Sequence, residues 1–122
     1  MAASKKTLVL GASENPGRYS YLAANKLREK GHPVVAIGRK KGKVADVDIE
    51  TDKKEFSDID TITMYMNAEH QKEYYDYILN LHPKRIIFNP GAENENLAQL
   101  ARENNIEPVE ACTLVLLSTN QY

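Results

Sequence analysis

Short apolar runs recur along the chain, separated by longer stretches in which apolar residues are spaced as in helices. The runs at residues 7–10 and 33–38 are continuous and end at or just before a glycine, as in strands buried on both faces of a parallel sheet. Apolar and polar residues alternate over residues 60–66, a pattern typical of another strand. Two further strands are predicted at residues 84–89 and 106–110.

Helical periodicity predicts the elements between these strands. Leu22, Ala23 and Leu27 recur at helical spacing in a helix that is expected to end at Gly31, because glycine readily adopts the conformation of a C-terminal cap. The predicted helices cover residues 19–30, 68–81 and 93–104, with one helical turn at 53–58. Residues 44–49 fit either a short edge strand or an extended loop, and the apolar tail at 112–117 is expected to pack on the core.

The order of these elements predicts the fold class. Strands that alternate with helices along a whole chain form a parallel sheet with helices on both faces. The sequence therefore predicts a three-layer, Rossmann-like, doubly wound α/β fold that forms a single domain over residues 1–122. A chain of this length buries enough surface to fold without a metal ion or a disulfide.

Charge and cysteine content restrict the partners and the compartment. Sixteen basic and 17 acidic residues give a formal net charge of −1, so there is no overall attraction to nucleic acid or to an anionic membrane. Cys112 is the only cysteine, which excludes an intramolecular disulfide and favours a reducing compartment. Because no apolar run approaches the ~18 residues of a membrane span and no signal-peptide pattern precedes the first strand, a cytoplasmic protein is expected.

The loop after the first strand has the composition of an anion-binding turn. Gly11 lets the backbone turn and approach a ligand closely, and Ala12 and Ser13 follow it. A helix that begins directly after such a loop favours a phosphate through its first N–H groups and its dipole. Arg18 would add a fork of charged donors. The alternative is that Gly11 and Gly17 only shape a tight loop.

Two details restrict the type of nucleotide. The single Gly-Lys pair of the chain is followed by Val44, not by the Ser or Thr of a nucleotide-triphosphatase loop, which disfavours ATP hydrolysis. After the second strand, an NAD-binding protein usually carries Asp or Glu, whereas here Gly38 is followed by Arg39 and Lys40. These cations favour a ribose with an additional phosphate, as in NADP and coenzyme A, unless they only form a solvated basic turn.

The ends of two later strands supply the other candidates. In doubly wound sheets, ligands lie beyond the carboxyl ends of the strands, near the point where strand order reverses. Tyr65 and Met66 are candidates for the pocket wall, although both residue types are equally common in a core. Asn89 is a candidate to orient a ligand amide, and Gly91 permits close backbone approach, while residues 93–94 are expected to cap the next helix.

The sequence contains no recognisable catalytic set. His32, His70 and His82 lie at predicted turns or helix ends and are expected at the surface. Cys112 has no histidine near it in the sequence and is expected to be a small apolar core residue. Spacing of possible ligands gives no support for a metal site. A binding protein, not an enzyme, is therefore expected.

Three segments give the chain a family resemblance. They are Val9-Leu10-Gly11-Ala12-Ser13 with Arg18 and Ser20, Gly31-His32-Pro33-Val34-Val35, and Ala101-Arg102-Glu103-Asn104-Asn105-Ile106. With them the chain resembles the small stand-alone CoA-binding proteins, which are similar to the N-terminal domain of the succinyl-CoA ligase α subunit. The resemblance covers nearly the whole chain. It implies a Rossmann-like sheet, CoA phosphates at residues 11–13 and Arg18, and the nucleotide end near Gly38 and Arg39.

The leading hypothesis is a non-catalytic module that binds coenzyme A or acyl-CoA, as a carrier, a sensor or the partner of a separate enzyme. An NADP-binding reductase is the first alternative. Many family members carry Asn-Pro where this chain has Gly38-Arg39, and residues 88–91 match the family only loosely, so an interaction domain without a ligand is the second. A protein partner or a homodimer through exposed tyrosines remains open. The candidate cofactor-binding residues are Gly11, Ala12, Ser13, Arg18, Tyr19, Ser20, Gly38, Arg39, Lys40, Tyr65, Met66, Asn89 and Gly91.

Overall fold

A central β-sheet organises the chain, and the computed structural model describes residues 3–122. The strands are β1 (Thr7–Ala12), β2 (Val34–Gly38), β3 (Gly42–Val44), β4 (Val47–Glu50), β5 (Thr61–Met64), β6 (Arg85–Phe88) and β7 (Glu107–Glu110). The helices are α1 (Tyr19–Glu29), α2 (Ala68–Gln71), α3 (Tyr75–Leu81), α4 (Glu95–Glu103) and α5 (Thr113–Ser118), with a 3₁₀ turn at Lys72–Tyr74 between α2 and α3. None of the helices within residues 3–122 is long and apolar enough to cross a lipid bilayer.

The strand order is β3-β4-β2-β1-β5-β6-β7. From β1 the chain moves outward through β2 to the β3/β4 edge, then crosses back to β5 on the other side of β1 and continues outward to β7. All neighbouring pairs are parallel except β3 with β4. Strand order therefore reverses between β1 and β5, and a crevice beyond their carboxyl ends is the expected ligand position.

Helices cover the sheet on both faces, so the predicted three-layer Rossmann-like α/β fold is confirmed. Alternate residues of β1 point to opposite faces: Leu8 and Leu10 lie in one apolar cluster, Val9 in the other. The Leu8 side of the sheet packs against α3 and α4, and the Val9 side packs against α1 and α5. Both faces of β1 are fully buried, which explains its continuous apolar sequence.

The region of residues 42–58 differs from its predictions. Residues 44–49 are neither a single edge strand nor a loop, because β3 and β4 form an antiparallel hairpin that turns at Ala45, where φ is 54°. The predicted helical turn at residues 53–58 is wrong. There the hydrogen bonds run from Lys54 N to Asp52 O and from Phe56 N to Lys54 O, which is too short a spacing for a helix, while the Phe56 ring packs against the core.

The predicted helix over residues 68–81 is interrupted. It consists of α2, the 3₁₀ turn and α3. Apolar spacing indicated a continuous helix, but Gln71 at the end of α2 is completely buried and forms hydrogen bonds with backbone oxygens outside its own helix. The interruption follows directly after this residue. The predicted tail is α5, in which Leu117 is buried while Val115 is 55% exposed.

His32 is not a surface residue, contrary to its prediction. It is 9% exposed, its Nδ1 accepts a hydrogen bond from the backbone N–H of Lys5 at 2.9 Å, and its ring lies 4.9 Å from the ring of Tyr122. Burial, followed by the charges of Lys5 and Arg85, lowers the pKa of His32, and Asp60 partly opposes this. His70 and His82 are exposed as predicted, and Cys112 is half-buried.

Candidate cofactor-binding site

Gly11 brings the end of β1 into direct contact with the loop that follows β5. Its φ is +97°, and a Cβ atom here would lie 3.0 Å from the carbonyl carbon of Tyr65 and 3.2 Å from both the backbone nitrogen and the Cγ of Met66. The Tyr65 N–H donates to Leu10 O at 2.8 Å, which holds the two segments together. Glycine is therefore required both by conformation and by space.

The loop between β1 and α1 is held by its own polar groups. Residues 15–18 form a β-turn in which Arg18 N–H donates to Asn15 O at 3.0 Å, with proline at the second position. The Asn15 side chain accepts from Gly17 N–H at 2.9 Å, and Ser13 Oγ accepts from Asn15 N–H at 3.1 Å. Since Ser13 acts as an acceptor here, its hydroxyl hydrogen remains available for a ligand.

Helix α1 begins without the usual neutralising groups. Its N-cap is Arg18, no side chain caps its first turn, and that turn contains no acidic residue. The unpaired N–H groups of a helix start carry partial positive charge, so this end of α1 favours an anion. Arg18 and Tyr19 are exposed beside it, whereas Ser20 is buried. The predicted phosphate position thus coincides with an uncapped, positively polarised helix start.

The end of β2 lies tightly against the end of β1. A Cβ atom on Gly38 would lie 2.3 Å from Ala12 O and 3.0 Å from the Cγ2 of Ile49, so only glycine fits. Arg39 and Lys40 follow directly and are exposed. They are therefore accessible to a ligand that crosses the carboxyl ends of β1 and β2.

Arg39 contacts a residue that sequence reasoning assigned to the surface. Its Nη2 lies 3.0 Å from Nδ1 and 2.9 Å from Nε2 of His70. Nη2 is therefore within hydrogen-bond distance of both ring nitrogens, and the one that lacks a hydrogen can accept. The contact joins the loop after β2 to α2 and so passes over the end of β1. No signal in the sequence connects these two residues, because they are 31 positions apart.

The two wall candidates after β5 have different surroundings. Tyr65 packs against the apolar cluster below α1 and α5, and burial raises its pKa to about 12, against a smaller effect of Thr63 and Thr113. Met66 packs against the opposite cluster and contacts Gly11. Both side chains thus pack partly against the core, and Met66 also lies next to Gly11 at the reversal of strand order.

The side chain of Asn89 has an internal structural role. It is 2% exposed; its Nδ2 donates to Thr63 Oγ1 at 2.8 Å and to Met64 O at 2.9 Å, and its Oδ1 accepts from Thr113 N–H at 2.9 Å. Both amide hydrogens are used, so the amide N–H groups have no capacity left to orient a ligand. Asn89 instead joins β6 to β5 and to the start of α5.

The loop after β6 closes on itself. Gly91 is exposed with φ +92°, and its N–H donates to Glu93 Oε1 at 2.9 Å. Asn94 caps α4 through Leu97 N–H at 3.1 Å, as expected, and its Nδ2 donates to both Gln71 Oε1 and the Tyr75 hydroxyl at 2.9 Å. Gln71, which sequence reasoning missed, is the buried polar residue of this region. A glutamine in an otherwise helical, amphipathic stretch gives no distinguishing signal.

The predicted residues therefore fall into two groups. The loops after β1, β2 and β5 come together at the reversal of strand order, whereas Asn89 and Gly91 lie one strand further along. A cavity of about 470 Å³ lies at the other end of the strands, near the start of β1 and β2, where Lys5, Lys30 and His32 contribute to its wall. Within residues 3–122, no three His, Cys, Asp or Glu side chains are grouped as metal ligands would be.

A family model for the CoA-binding domain matches residues 5–118. The chain belongs to the CoA-binding domain family. A crystal structure of an uncharacterized protein is 49% identical in sequence, covers 99% of this chain and 100% of its own, and superimposes with a TM-score of 0.97. No curated protein matches this CoA-binding domain protein in sequence.

More distant structures share the fold of this CoA-binding domain protein. A protein from Thermus thermophilus is 19% identical, with 98% of this chain and 91% of the other covered and a TM-score of 0.83. A hypothetical protein from Pyrococcus horikoshii OT3 is 20% identical, with 95% and 83% covered and a TM-score of 0.85. At these identities the similarity concerns the fold alone.

Proposed function

We propose that the protein binds coenzyme A or an acyl-CoA as a non-catalytic module, in the role of a carrier, a sensor or the partner of a separate enzyme. The observation that carries the proposal is the uncapped start of α1, beside the Gly11 turn, at the reversal of strand order in a member of the CoA-binding domain family. The pyrophosphate would lie against residues 11–13 and the first turn of α1. Arg18 would pair with it.

Arg39 and Lys40 would recognise the phosphate on the ribose. Both are exposed next to the tight junction of β1 and β2 that Gly38 permits. A guanidinium binds a phosphate through two parallel hydrogen bonds, and the neighbouring ammonium adds charge. In this arrangement Arg39 leaves His70 when it binds the ligand.

The single cysteine supports a reducing compartment such as the cytoplasm.

The absence of catalysis is part of the proposal and is supported by the chemistry near the crevice. The Tyr65 hydroxyl has a pKa of about 12 and stays protonated at neutral pH, which makes it a poor general base. Asn89 has no free amide hydrogen. His70, the imidazole at this edge, contacts Arg39 through its ring nitrogens and has no carboxylate partner within residues 3–122 that would orient it as a base.

Thermal unfolding with CoA, acetyl-CoA, dephospho-CoA, NADP and NAD tests the proposal. A ligand at ~100-fold above its Kd adds about 2.7 kcal/mol to the free energy of unfolding. We expect CoA and acetyl-CoA to raise the melting temperature and NAD to leave it unchanged. Arg39→Glu is expected to weaken the binding of CoA more than the binding of dephospho-CoA. Equal weakening of both would exclude Arg39 from phosphate recognition.

An NADP-binding reductase is the second candidate, because exposed Arg39 and Lys40 would also suit the 2′-phosphate of NADP. A shift with NADP alone, accompanied by NADPH oxidation with a carbonyl substrate, would replace the CoA proposal. If no nucleotide stabilises the protein, an interaction domain without a ligand is the remaining interpretation.

A further inference from the structure

Gln71 is a fully buried polar side chain, 0% exposed, at the end of α2. Its Nε2 donates to Met66 O and to Ala92 O, each at 2.8 Å, and its Oε1 accepts from Asn94 Nδ2 at 2.9 Å. Burying an amide is unfavourable unless its hydrogen bonds are replaced, and here both hydrogens and the oxygen have partners. The position of Gln71 is thus fixed by three separate bonds.

These bonds join two loops at the carboxyl edge of the sheet. Met66 belongs to the loop after β5, and Ala92 belongs to the loop after β6. Asn94 is the N-cap of α4. One side chain therefore connects both loops and the helix that follows them. The remaining link runs to β1, because the backbone nitrogen and the side chain of Met66 lie against Gly11.

We propose that Gln71 is a positioning residue for the cofactor crevice, which sets the distance between the β5 loop and the Gly11 turn without contacting the ligand. The proposal rests on the proposed CoA function. Through its hydrogen bond to Met66 O, Gln71 keeps the β5 loop so close to residue 11 that only glycine is accommodated there. Without this bond, the β5 loop becomes more mobile next to Gly11, where the ligand is proposed to bind.

Two substitutions test the role. Gln71→Leu removes all three hydrogen bonds, and Gln71→Glu keeps the shape and the acceptor for Asn94 but directs a carboxylate oxygen at two carbonyl oxygens. We expect each to raise the Kd for CoA at least tenfold at pH 8. Gln99→Glu, which makes the same chemical change at an exposed position of α4, is the matched control and is expected to leave the Kd unchanged.

Loss of stability alone must be separated from loss of positioning. Ile86→Val trims a fully buried residue of the core on the α3/α4 side, away from both loops, and supplies a destabilised control with an intact Gln71. Its Kd for CoA is expected to equal that of the wild type. If Ile86→Val weakens CoA as much as the Gln71 variants do, the effect is general destabilisation and the proposal is overturned.

The pH dependence of the Kd for CoA in Gln71→Glu distinguishes positioning from a general structural role. Below the pKa of the introduced carboxyl group, Gln71→Glu regains one hydrogen and can donate to Met66 O or Ala92 O. Relative to the wild type at the same pH, its Kd is expected to recover severalfold between pH 8 and pH 5.5, while Gln71→Leu does not recover. Equal pH dependence of the two variants would contradict the proposal.

Amide hydrogen exchange tests the role without any ligand. The Tyr65 N–H, bonded to Leu10 O, reports on the junction of β1 with the β5 loop, and Ile37 in β2 is the internal control. In Gln71→Leu, exchange at Tyr65 is expected to rise more than tenfold over that at Ile37. If wild-type protein does not bind CoA, the proposed function fails, and this exchange still decides the positioning role. If CoA binds but both Gln71 variants match the wild type, the positioning role fails alone.

Discussion

Two helices start at the same edge of the sheet, and they start in opposite ways. Helix α1 has Arg18 at its N-cap, no side-chain cap and no acidic residue in its first turn. Helix α4 is capped by Asn94 and has Glu95 in its first turn. In each preceding loop a glycine N–H donates to a nearby side chain, but the acceptor of Gly91 is the charged Glu93, whereas the acceptor of Gly17 is the neutral Asn15.

We call the start of α4 closed, because a side chain caps it and an acidic residue lies in its first turn, and the start of α1 open, because it has neither. At α4 the cap, the acidic first turn and the bonds from Asn94 to Gln71 and Tyr75 satisfy the helix internally. At α1 the N–H groups of Arg18 and Tyr21 have backbone acceptors, but no side-chain cap and no acidic residue neutralises the first turn, which favours an external anion. The protein thus forgoes a capping interaction, worth about 1 kcal/mol in most proteins, at the helix that follows β1 at the reversal of strand order.

The largest expected effect comes from a pair of glycine substitutions. Gly91→Ala places a Cβ in open space and should cost about 1–2 kcal/mol of unfolding free energy for the positive φ alone. Gly11→Ala has the same backbone cost and also pushes against Tyr65 and Met66, which adds about 1–3 kcal/mol. Urea unfolding measures both. Equal losses would mean that the β5 loop moves away freely from Gly11.

The second pair compares the N-caps. Asn94→Ala removes a cap, for about 1 kcal/mol, and leaves the buried oxygen of Gln71 without a donor, for about 1–3 kcal/mol. Arg18→Ala removes an exposed side chain with no capping bond and should change stability by less than about 0.5 kcal/mol. Chemical denaturation of the two variants checks this. A loss in Arg18→Ala as large as in Asn94→Ala would show that α1 is not open.

The third prediction makes α1 resemble α4. Arg18→Asp supplies a favoured N-cap and should raise the unfolding free energy by about 0.5–2 kcal/mol. The same carboxylate would occupy the anion position, so CoA affinity should fall at least ~10-fold, or about 1.4 kcal/mol. Calorimetric titration and urea unfolding together give both signs. Unchanged CoA affinity would show that the phosphate does not bind at the start of α1.

The smallest effect is a pH dependence that arises far from both loops. The pKa of His32 is lowered by burial, then by Lys5 and Arg85, so the folded state holds fewer protons than the unfolded state below the ordinary value of about 6.5. The stabilisation is complete above pH 6.5 and is lost as the pH falls from there through the folded pKa. Urea unfolding from pH 8 to 5 should show this decline.

His32→Gln should flatten that decline, while His82→Gln, at an exposed position, should not. This pair of variants tests the pH dependence of stability without changing any residue at the start of α1 or α4. An undiminished pH dependence in His32→Gln would assign the effect to other groups.

Sequence reasoning was most successful where local pattern and tertiary environment agree. Continuous apolar runs marked the central strands β1 and β2, and Gly11 and Gly38 marked where these strands end. It failed at residues 53–58, where the half-buried Phe56 packs against the core from a non-helical backbone, and at residues 68–81, where the helix is interrupted directly after the buried Gln71.

The sequence by itself determined the α/β class and the position of the glycine turns, because both depend on residues that are close together along the chain. Only the tertiary structure decided that Asn89 is an internal link, that Arg39 contacts His70 and that Gln71 joins two loops. These contacts connect residues 20 or more positions apart, and hydrogen-bond partners at such distances are chosen by the packing of the sheet and not by local pattern.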